Sequence, residues 1–233
     1  MFPLIINPGT WVKTLSLPTV TLICTDCLEV ERSTKVIDRC LELCDFGAVK
    51  FLTSLPTAYP HTVQIQSLPS LCDYSIFMLK RVHEYVDTPH FLTVQHDGFI
   101  LNPNSWDPAW LGYDYMAPIF DQYDMVGSGG FSLRSKALMK AVSDALPPWD
   151  GTPDGTNQLQ SQLGCYEDGA VSMHLRAPME KQGFKYPAIP EANKFAQGGN
   201  RNPAHFVEKP FGFHRPAPER VIDYATGSLS GIL

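Results

Sequence analysis

The strongest constraint on the fold is an alternation of two hydrophobic periods over the first hundred residues. Residues 20–25 form a short, β-branched, nearly continuous apolar run, which is typical of a strand buried on both faces of a parallel sheet. Over residues 28–45 the apolar side chains recur at helical spacing instead. The alternation continues with strands at 48–53 and 90–95, an extended segment at 61–68 and a helix at 71–86. The pattern predicts an α/β fold with a Rossmann-type, mostly parallel central sheet flanked by helices.

Length and composition fit a single globular domain. The chain has 233 residues, of which 44% are hydrophobic and 18% charged, and no obvious linker divides it. We therefore expect one domain over residues 1–233, with its core at about 18–215. A net charge of -6 disfavours a nucleic-acid partner, because neutralising phosphates requires a basic face.

The sequence also suggests a location. No stretch approaches the roughly 18 continuous apolar residues of a membrane span, and residues 1–8 lack the basic start of a signal peptide. A cytoplasmic protein is expected, and its six cysteines are expected to be mostly buried free thiols. Cys24 and Cys27 have the spacing of a zinc knuckle or redox pair, but no second pair follows at ligand spacing.

Two acids follow predicted strands. Asp26 comes directly after the first strand, and Asp97 follows the strand at 90–95. Ligands of doubly wound sheets bind outside the carboxyl ends of the strands, so both acids are expected at one functional edge. By strand alternation Gln95 and Asp97 face one way and His96 the other. An alternative role for Asp97 is that of a turn former before Gly98.

Four further motifs lie downstream. They are an aromatic segment at 106–115, a glycine-rich segment at 127–135 that includes Gly129, Gly130 and Arg134, the pair Glu167-Asp168, and Phe211-Gly212-Phe213-His214. Paired glycines let the backbone approach a ligand closely. A helix is predicted to start near Glu167 and to be interrupted or ended by Pro178. The segments at 147–162 and 197–203 are expected to be ligand-contacting surface loops.

With these motifs in order, the sequence resembles the glycosyltransferases of the GT-A fold. It is similar in particular to a widespread family of that fold that shares Gln-x-Asp-Gly-Phe, the aromatic segment, Gly-Gly-Phe-Ser-Leu-Arg-Ser, Glu-Asp and Phe-Gly-Phe-His. The resemblance covers roughly residues 18–215. It implies a divalent metal, Mn²⁺ or Mg²⁺, that bridges the two phosphates of a nucleotide-sugar donor, with a UDP-sugar as the expected donor.

The resemblance also implies roles for single residues around that metal. Asp97 matches the usual direct metal ligand, whereas Gln95 stands where the first acid of an Asp-x-Asp motif is expected. His214 matches a late histidine that supplies a further ligand, although a lone histidine is more often structural. Asp26 lies where such enzymes contact the nucleotide base or ribose.

The glycine-rich segment and the acidic pair complete the implied site. Gly129 and Gly130 would approach the donor sugar or the acceptor. Arg134 would contact a phosphate or pair with an acid. Asp168, or failing it Glu167, would be the general base of an inverting transfer; a plain alternative is that both acids stabilise a helix start.

The expected function is therefore a metal-dependent hexosyltransferase that acts on a hydroxyl acceptor. A non-catalytic module that binds a nucleotide-sugar or carbohydrate is the alternative from another class, and the replacement of an acid by Gln95 supports it. Glycosylation of a hydroxylated nucleobase is disfavoured by the acidic charge. A phosphate-transferring enzyme would share the metal but leaves the glycine-rich and Phe-Gly-Phe-His motifs unexplained.

Overall fold

The computed structural model describes residues 15–120, 123–152, 157, 159–161, 163–199, 202–216, 220–223 and 226–231. Parts of the loops expected at 147–162 and 197–203 lie outside the described residues. The single-domain organisation expected for residues 1–233 stays a prediction.

A six-stranded mixed sheet forms the centre of the fold, with the strand order β3-β2-β1-β4-β8-β5. The first four strands of that order are parallel to one another, β8 is antiparallel to β4, and β5 is antiparallel to β8. This architecture confirms the predicted α/β class with a mostly parallel sheet. The strands are β1 (Leu15–Thr25), β2 (Cys44–Thr53), β3 (Thr62–Gln64), β4 (His90–Val94), β5 (Tyr115–Met116) and β8 (Ser132–Ser135).

Helices cover both faces of this sheet. Alternate residues of β1 and β4 pack in different apolar clusters: Leu22 and Leu92 lie in the cluster with α1, whereas Ile23 and Phe91 lie in the cluster with α2 and α3. Since successive side chains of a strand point to opposite faces, the two clusters are the two sides of one sheet. The helices are α1 (Val30–Leu43), α2 (Leu71–Lys80) and α3 (Lys136–Ala145), with a 3₁₀ turn at Val82–Tyr85.

Several predicted elements differ in length from those observed. Strand β2 begins at Cys44 instead of residue 48, and the extended segment predicted at 61–68 is a strand only at Thr62–Gln64. The first strand begins at Leu15, five residues before the predicted start, and the register shifts between Leu17 and Thr21, around Pro18. Proline has no backbone N–H to donate to a β-ladder, and Pro18 interrupts the apolar run from which the strand was predicted. The helix predicted at 71–86 ends at Lys80 and continues only as the 3₁₀ turn.

The acidic pair begins a composite helix. A short α-turn at Glu167–Gly169 (α4) leads into a π-helical turn at Ala170–His174 and then into α5 (Arg176–Lys181). The helix that begins at Glu167 is interrupted as predicted, but the interruption lies at Leu175, three residues before Pro178, and Pro178 itself lies inside α5. It occupies the first turn, where a backbone N–H has no intrahelical acceptor to lose. The next helix is α6 (Ile189–Phe195).

Three two-stranded ladders surround the main sheet. They are β6 (Ile119–Phe120) with β7 (Met125–Val126), β9 (Ala196–Gln197) with β10 (Gly212–Phe213), and β11 (Arg220–Asp223) with β12 (Ser228–Gly231). A bridge between Ile100 and Gly212 attaches β10 to the chain that follows β4. This attachment brings the C-terminal Phe-Gly-Phe-His motif to the carboxyl edge of the main sheet. Among the described residues, no helix is long and apolar enough to cross a bilayer.

The cysteines are only partly as expected. Cys24, Cys40 and Cys44 are buried free thiols, and burial raises the pKa of Cys24 and of Cys40 to about 12. Cys72 and Cys165, however, form a disulfide, so the expectation of free thiols is wrong for these two. Their pairing joins the first turn of α2 to the residues just before α4, and this tertiary contact has no signal in cysteine spacing.

Candidate functional site

The turn after β4 is the centre of the candidate site. Gln95 and Gly98 exchange two backbone hydrogen bonds of 3.0 and 2.9 Å, which makes His96-Asp97 a two-residue hairpin loop. Asp97 therefore does serve in a turn, but its carboxylate is also directed into a cluster of polar groups. All four residues lie at the carboxyl edge of the sheet, where ligands of such folds bind.

His214 reaches this turn from the far end of the chain. The backbone N–H of Phe213 donates to Phe99 O at 3.3 Å, and that of His214 donates to Gln197 O at 2.9 Å. The next amide, of Arg215, donates to Asp97 O at 3.0 Å. The imidazole is thereby fixed against the hairpin, with a side chain only 6% exposed.

Asp97 and His214 present two buried atoms that lack hydrogen bonds. Oδ1 of Asp97 lies 3.5 Å from Nε2 of His214, and neither atom has a hydrogen-bond partner. Nδ1 of His214 is 2.7 Å from Oγ of Ser128. With Nδ1 protonated and donating to that hydroxyl, the lone pair of Nε2 faces Asp97, which is the tautomer a metal ligand requires.

Gln95 joins the same cluster through its side-chain oxygen. Its amide nitrogen donates to the Tyr74 hydroxyl at 2.8 Å, and this bond orients the side chain. A Cβ added at Gly130 would lie 2.4 Å from Oε1 of Gln95 and 2.2 Å from Nε2 of His214. The two atoms thus converge on one small space, which remains open because residue 130 is glycine.

The cluster suits a hard divalent cation with mixed O and N ligands. A carboxylate oxygen, an amide oxygen and a neutral imidazole nitrogen are donors that Mn²⁺ accepts, and Mg²⁺ accepts the oxygens more readily than the nitrogen. Within the described ranges, no three His, Cys, Asp or Glu side chains converge on one point, so Gln95 is the third candidate ligand. The residues present therefore fit the metal that the sequence predicts.

The acidic pair lies on the other side of the paired glycines. A Cβ at Gly129 would lie 2.4 Å from Oε1 of Glu167 and 2.8 Å from Cβ of Asp168. Since consecutive Cα atoms are about 3.8 Å apart, one peptide unit separates the acids from the His214 and Gln95 atoms at Gly130. The site thus places a candidate base beside a candidate metal position.

The two acids have different surroundings. Asp168 is half-buried, and its carboxylate oxygens accept from the amides of Gly129 at 3.1 Å and Gly169 at 2.8 Å. Glu167 is buried and receives two bonds from Arg134, at 2.7 and 2.8 Å. Of the pair, only Asp168 retains access to a substrate.

Arg134 is fully buried and fully engaged. Besides the bidentate pair with Glu167, its Nε donates to Ser132 Oγ at 2.8 Å and its Nη2 donates to Gly129 O at 3.1 Å. Burial works to lower the pKa of Arg134, but the charge and hydrogen bonds of Glu167 raise it further above its usual range. We assign both groups as charged. The pair anchors the backbone of Gly129, and Arg134 thus pairs with an acid, which is the second of the two roles expected for it.

Asp26 is at the predicted edge, but its carboxylate is occupied by the chain itself. Oδ1 accepts from the amides of Leu28 at 2.7 Å and Glu29 at 3.1 Å, and Oδ2 accepts from Ser33 Oγ at 2.6 Å. These bonds cap the approach to α1. A contact of Asp26 with a nucleotide stays a prediction.

The electrostatics of the hairpin favour an ionised Asp97. Burial alone would raise the pKa of Asp97, but Arg215, together with His214 and His96 when their imidazoles are protonated, outweighs burial and lowers that pKa well below its usual range. Nε of Arg215 donates to Oδ2 of Asp97 at 2.8 Å. Asp97 is thus a charged carboxylate with one oxygen paired and the other, Oδ1, facing His214.

Sequence reasoning did not give these roles to three residues that organise the site. Ser128 orients His214, Arg215 contacts Asp97, and Tyr74 orients Gln95. Ser128 lies within the glycine-rich segment and Arg215 directly follows the Phe-Gly-Phe-His motif, and these positions were the only available signal. The aromatic segment at 106–115 is mainly structural, because Trp110 and Tyr115 are fully buried.

Comparisons with known proteins match one family and several solved structures, of which two are given. A crystal structure titled as a glycosyltransferase involved in glycosylation of the major capsid of PBCV-1 is 11% identical, has a TM-score of 0.49, and is matched over 90% of this chain and 97% of that one. The mannosyltransferase PcManGT from Pyrobaculum calidifontis, solved with GDP-Man and Mn²⁺, is 10% identical, has a TM-score of 0.35, and is matched over 54% of this chain and 48% of that one. These similarities are too low to transfer an activity.

A search of curated proteins found no match. Residues 60–214, which contain the hairpin, both glycines, the acidic pair and His214, match a family model described as "Protein of unknown function (DUF5672)". This match covers more than half of the chain, and the protein therefore belongs to the DUF5672 family.

Proposed function

We propose that the protein is a metal-dependent, inverting glycosyltransferase that moves a hexose from a nucleotide-sugar to a hydroxyl acceptor. The observation that carries the proposal is the pair of buried, unpartnered ligand atoms, Asp97 Oδ1 and His214 Nε2, 3.5 Å apart. Buried polar atoms without partners are costly, and a bound cation would satisfy both. The motif resemblance adds the reaction class.

Asp97, His214 and Gln95 would hold the ion. A Mn²⁺ or Mg²⁺ ion, when bound, supplies positive charge to the leaving nucleoside diphosphate. Ser128 fixes the imidazole of His214, and Tyr74 fixes the amide of Gln95, so both ligands are oriented before the ion arrives. A neutral amide in place of an acid leaves the site with one negative charge fewer, which predicts weaker affinity for the ion.

Asp168 would be the general base. Its carboxylate is oriented by the amides of Gly129 and Gly169 and can accept the proton of an acceptor hydroxyl as that oxygen attacks the anomeric carbon. Glu167 and Arg134 act through position only, because their buried ion pair fixes Gly129. Because Gly129 and Gly130 carry no side chains, the donor sugar or the acceptor would be able to approach their backbone closely.

The proposal is tested by nucleotide binding and by turnover. Purified protein titrated with UDP and with GDP, each with and without Mn²⁺, should bind one of them more tightly with the ion, and should release that nucleotide from its sugar conjugate. Asp168→Asn should abolish turnover while the nucleotide still binds. Absence of any nucleotide binding in all four titrations would refute the proposal.

The second candidate is a binding module that does not turn over its ligand. Gln95 in place of an acid is the observation that favours it. Such a module would bind nucleotide-sugar with Mn²⁺, show no release, and be indifferent to Asp168→Asn. The same titrations and a release assay therefore separate the two functions.

The cellular location stays a prediction. The sequence suggests the cytoplasm, but the Cys72–Cys165 disulfide is a bond that reducing compartments disfavour. Fractionation of the native host, followed by thiol labelling of these two cysteines, would decide between a reducing and an oxidising compartment.

A further inference from the structure

Arg215 makes an exposed contact with Asp97 that a ligand can readily exchange. Its side chain is 72% exposed, yet Nε donates to Oδ2 of Asp97 at 2.8 Å. Its backbone is held independently, because its amide donates to Asp97 O at 3.0 Å. The residue also has a positive φ of 47°, so its backbone is held in a conformation that L-residues rarely adopt. The backbone of Arg215 is therefore fixed, whereas its exposed side chain can turn away from Asp97.

A nucleoside diphosphate needs cationic groups beyond one metal ion, and the site offers few. Arg134 is excluded, because it is buried and bound to Glu167. Burial lowers the pKa of His96 in the hairpin, and the nearby charges of Arg32 and Arg215 act in the same direction, but Nε of Arg32 lies 3.5 Å from Oε2 of Glu29. Among the residues that the structure describes, Arg215 is therefore the best-placed exposed cation beside the candidate metal position.

The contact with Asp97 is suited to the ligand-free protein. Without a cation at Oδ1, the guanidinium balances the charge of the carboxylate. If Asp97 held a divalent cation, the guanidinium of Arg215 would lose the net attraction of that carboxylate. A diphosphate brought by the ion then becomes the stronger partner, because guanidinium binds phosphate through paired, charge-assisted hydrogen bonds.

We propose that Arg215 is a phosphate-binding residue that leaves Asp97 for the diphosphate of the donor when the metal ion binds. The inference rests on the proposed function. A variant without the guanidinium should show two opposite effects. Its affinity for the nucleotide should fall because the diphosphate loses a partner, whereas its affinity for the metal ion alone should rise because the guanidinium no longer competes for Asp97. A purely structural residue would not separate these effects.

The test compares Arg215→Gln with the wild-type protein in two titrations. Affinity for UDP or GDP in saturating Mn²⁺ should fall about tenfold to a hundredfold, the scale of a lost charge-assisted hydrogen bond. Affinity for Mn²⁺ alone should rise. Arg215→Lys should give an intermediate loss of nucleotide affinity, because it keeps the charge but not the paired donors.

Controls exclude general effects. Arg81→Gln removes an arginine whose Nε also donates to a carboxylate at 2.8 Å, in this case Glu84, and it should change neither titration. Titration with the nucleoside alone should show no difference between Arg215→Gln and wild type, because the nucleoside carries no phosphate.

The outcomes separate the two proposals. Equal nucleotide affinity in wild type and Arg215→Gln overturns the inference alone, and so does a parallel fall in nucleotide and Mn²⁺ affinity. If the wild-type protein binds no nucleotide, the proposed function fails, and this inference fails with it.

Discussion

The glycine at position 130 gives the sharpest test of the metal site. A Cβ at Gly130 would lie 2.2 Å from Nε2 of His214 and 2.4 Å from Oε1 of Gln95. Ordinary contact begins near 3.4 Å, so the imidazole nitrogen must withdraw by about 1.2 Å, the difference between 3.4 and 2.2 Å. Metal–ligand distances tolerate only about 0.2 Å of deviation. Gly130→Ala should therefore remove His214 from the coordination of an ion.

The expected loss of affinity is large. Outer-shell changes alone cost about tenfold to a hundredfold in metal affinity, so the loss of a direct ligand should cost about a hundredfold or more. Calorimetric titration of Mn²⁺ into wild type and Gly130→Ala measures this loss directly. Thermal unfolding without metal shows whether the variant is folded.

Gly112→Ala is the matched control. It is the same substitution at a position where a Cβ meets nothing within 4 Å, and it should bind Mn²⁺ like wild type. If folded Gly130→Ala binds Mn²⁺ within about threefold of wild type, the assignment of the open space to a metal ion is refuted. Loss of the direct ligand His214 should weaken Mn²⁺ binding more than loss of a residue that only orients a ligand.

Three further predictions concern single bonds of the site and its surroundings. Ser128→Ala removes the partner of His214 Nδ1 and should weaken Mn²⁺ binding by about tenfold to a hundredfold without loss of fold, measured by the same titration. Because the folded-state pKa of Asp97 is lowered, its contribution to stability is present above its unfolded pKa, near 3.9, and is lost as pH falls. The difference in unfolding free energy between wild type and Asp97→Asn should therefore shrink between about pH 5 and pH 2, measured by urea unfolding; a constant difference would contradict it. Reduction of Cys72–Cys165, which are 93 residues apart, should lower stability by about 4 kcal/mol, and the Cys72→Ser variant should then be insensitive to the reductant.

The fold was predictable where local pattern decides it. The alternation of periods identified β1, α1, β2, α2 and β4, because each buries a continuous or periodic apolar face. Strand β8 was not predicted, because its sequence, Ser132-Leu133-Arg134-Ser135, places a fully buried arginine where an apolar side chain is expected. Only the partner, Glu167, explains that arginine, and the partner lies 33 positions away.

The proximity of the motif residues could be predicted from the sequence, whereas the different surroundings of the two neighbouring acids could not. Asp97, His214 and Gly130 converge as the motifs implied, because strand ends meet at one edge. Glu167 and Asp168 are neighbours in sequence, yet one is paired in the interior and the other faces outward. That difference depends on burial and on Arg134, which are tertiary properties.

The closure of the site by the C-terminal motif has a consequence for folding. Arg215 and Asp97 are 118 positions apart, so the contact between them closes a long loop at a cost in chain entropy. It therefore forms only after most of the intervening chain has folded. During synthesis, β1 to β4 can assemble before residues 211–215 emerge. A nascent chain that ends before residue 211 would lack both His214 and the core side chains Phe211 and Phe213, so binding of Mn²⁺ at the proposed site would mark the docking of residues 211–215.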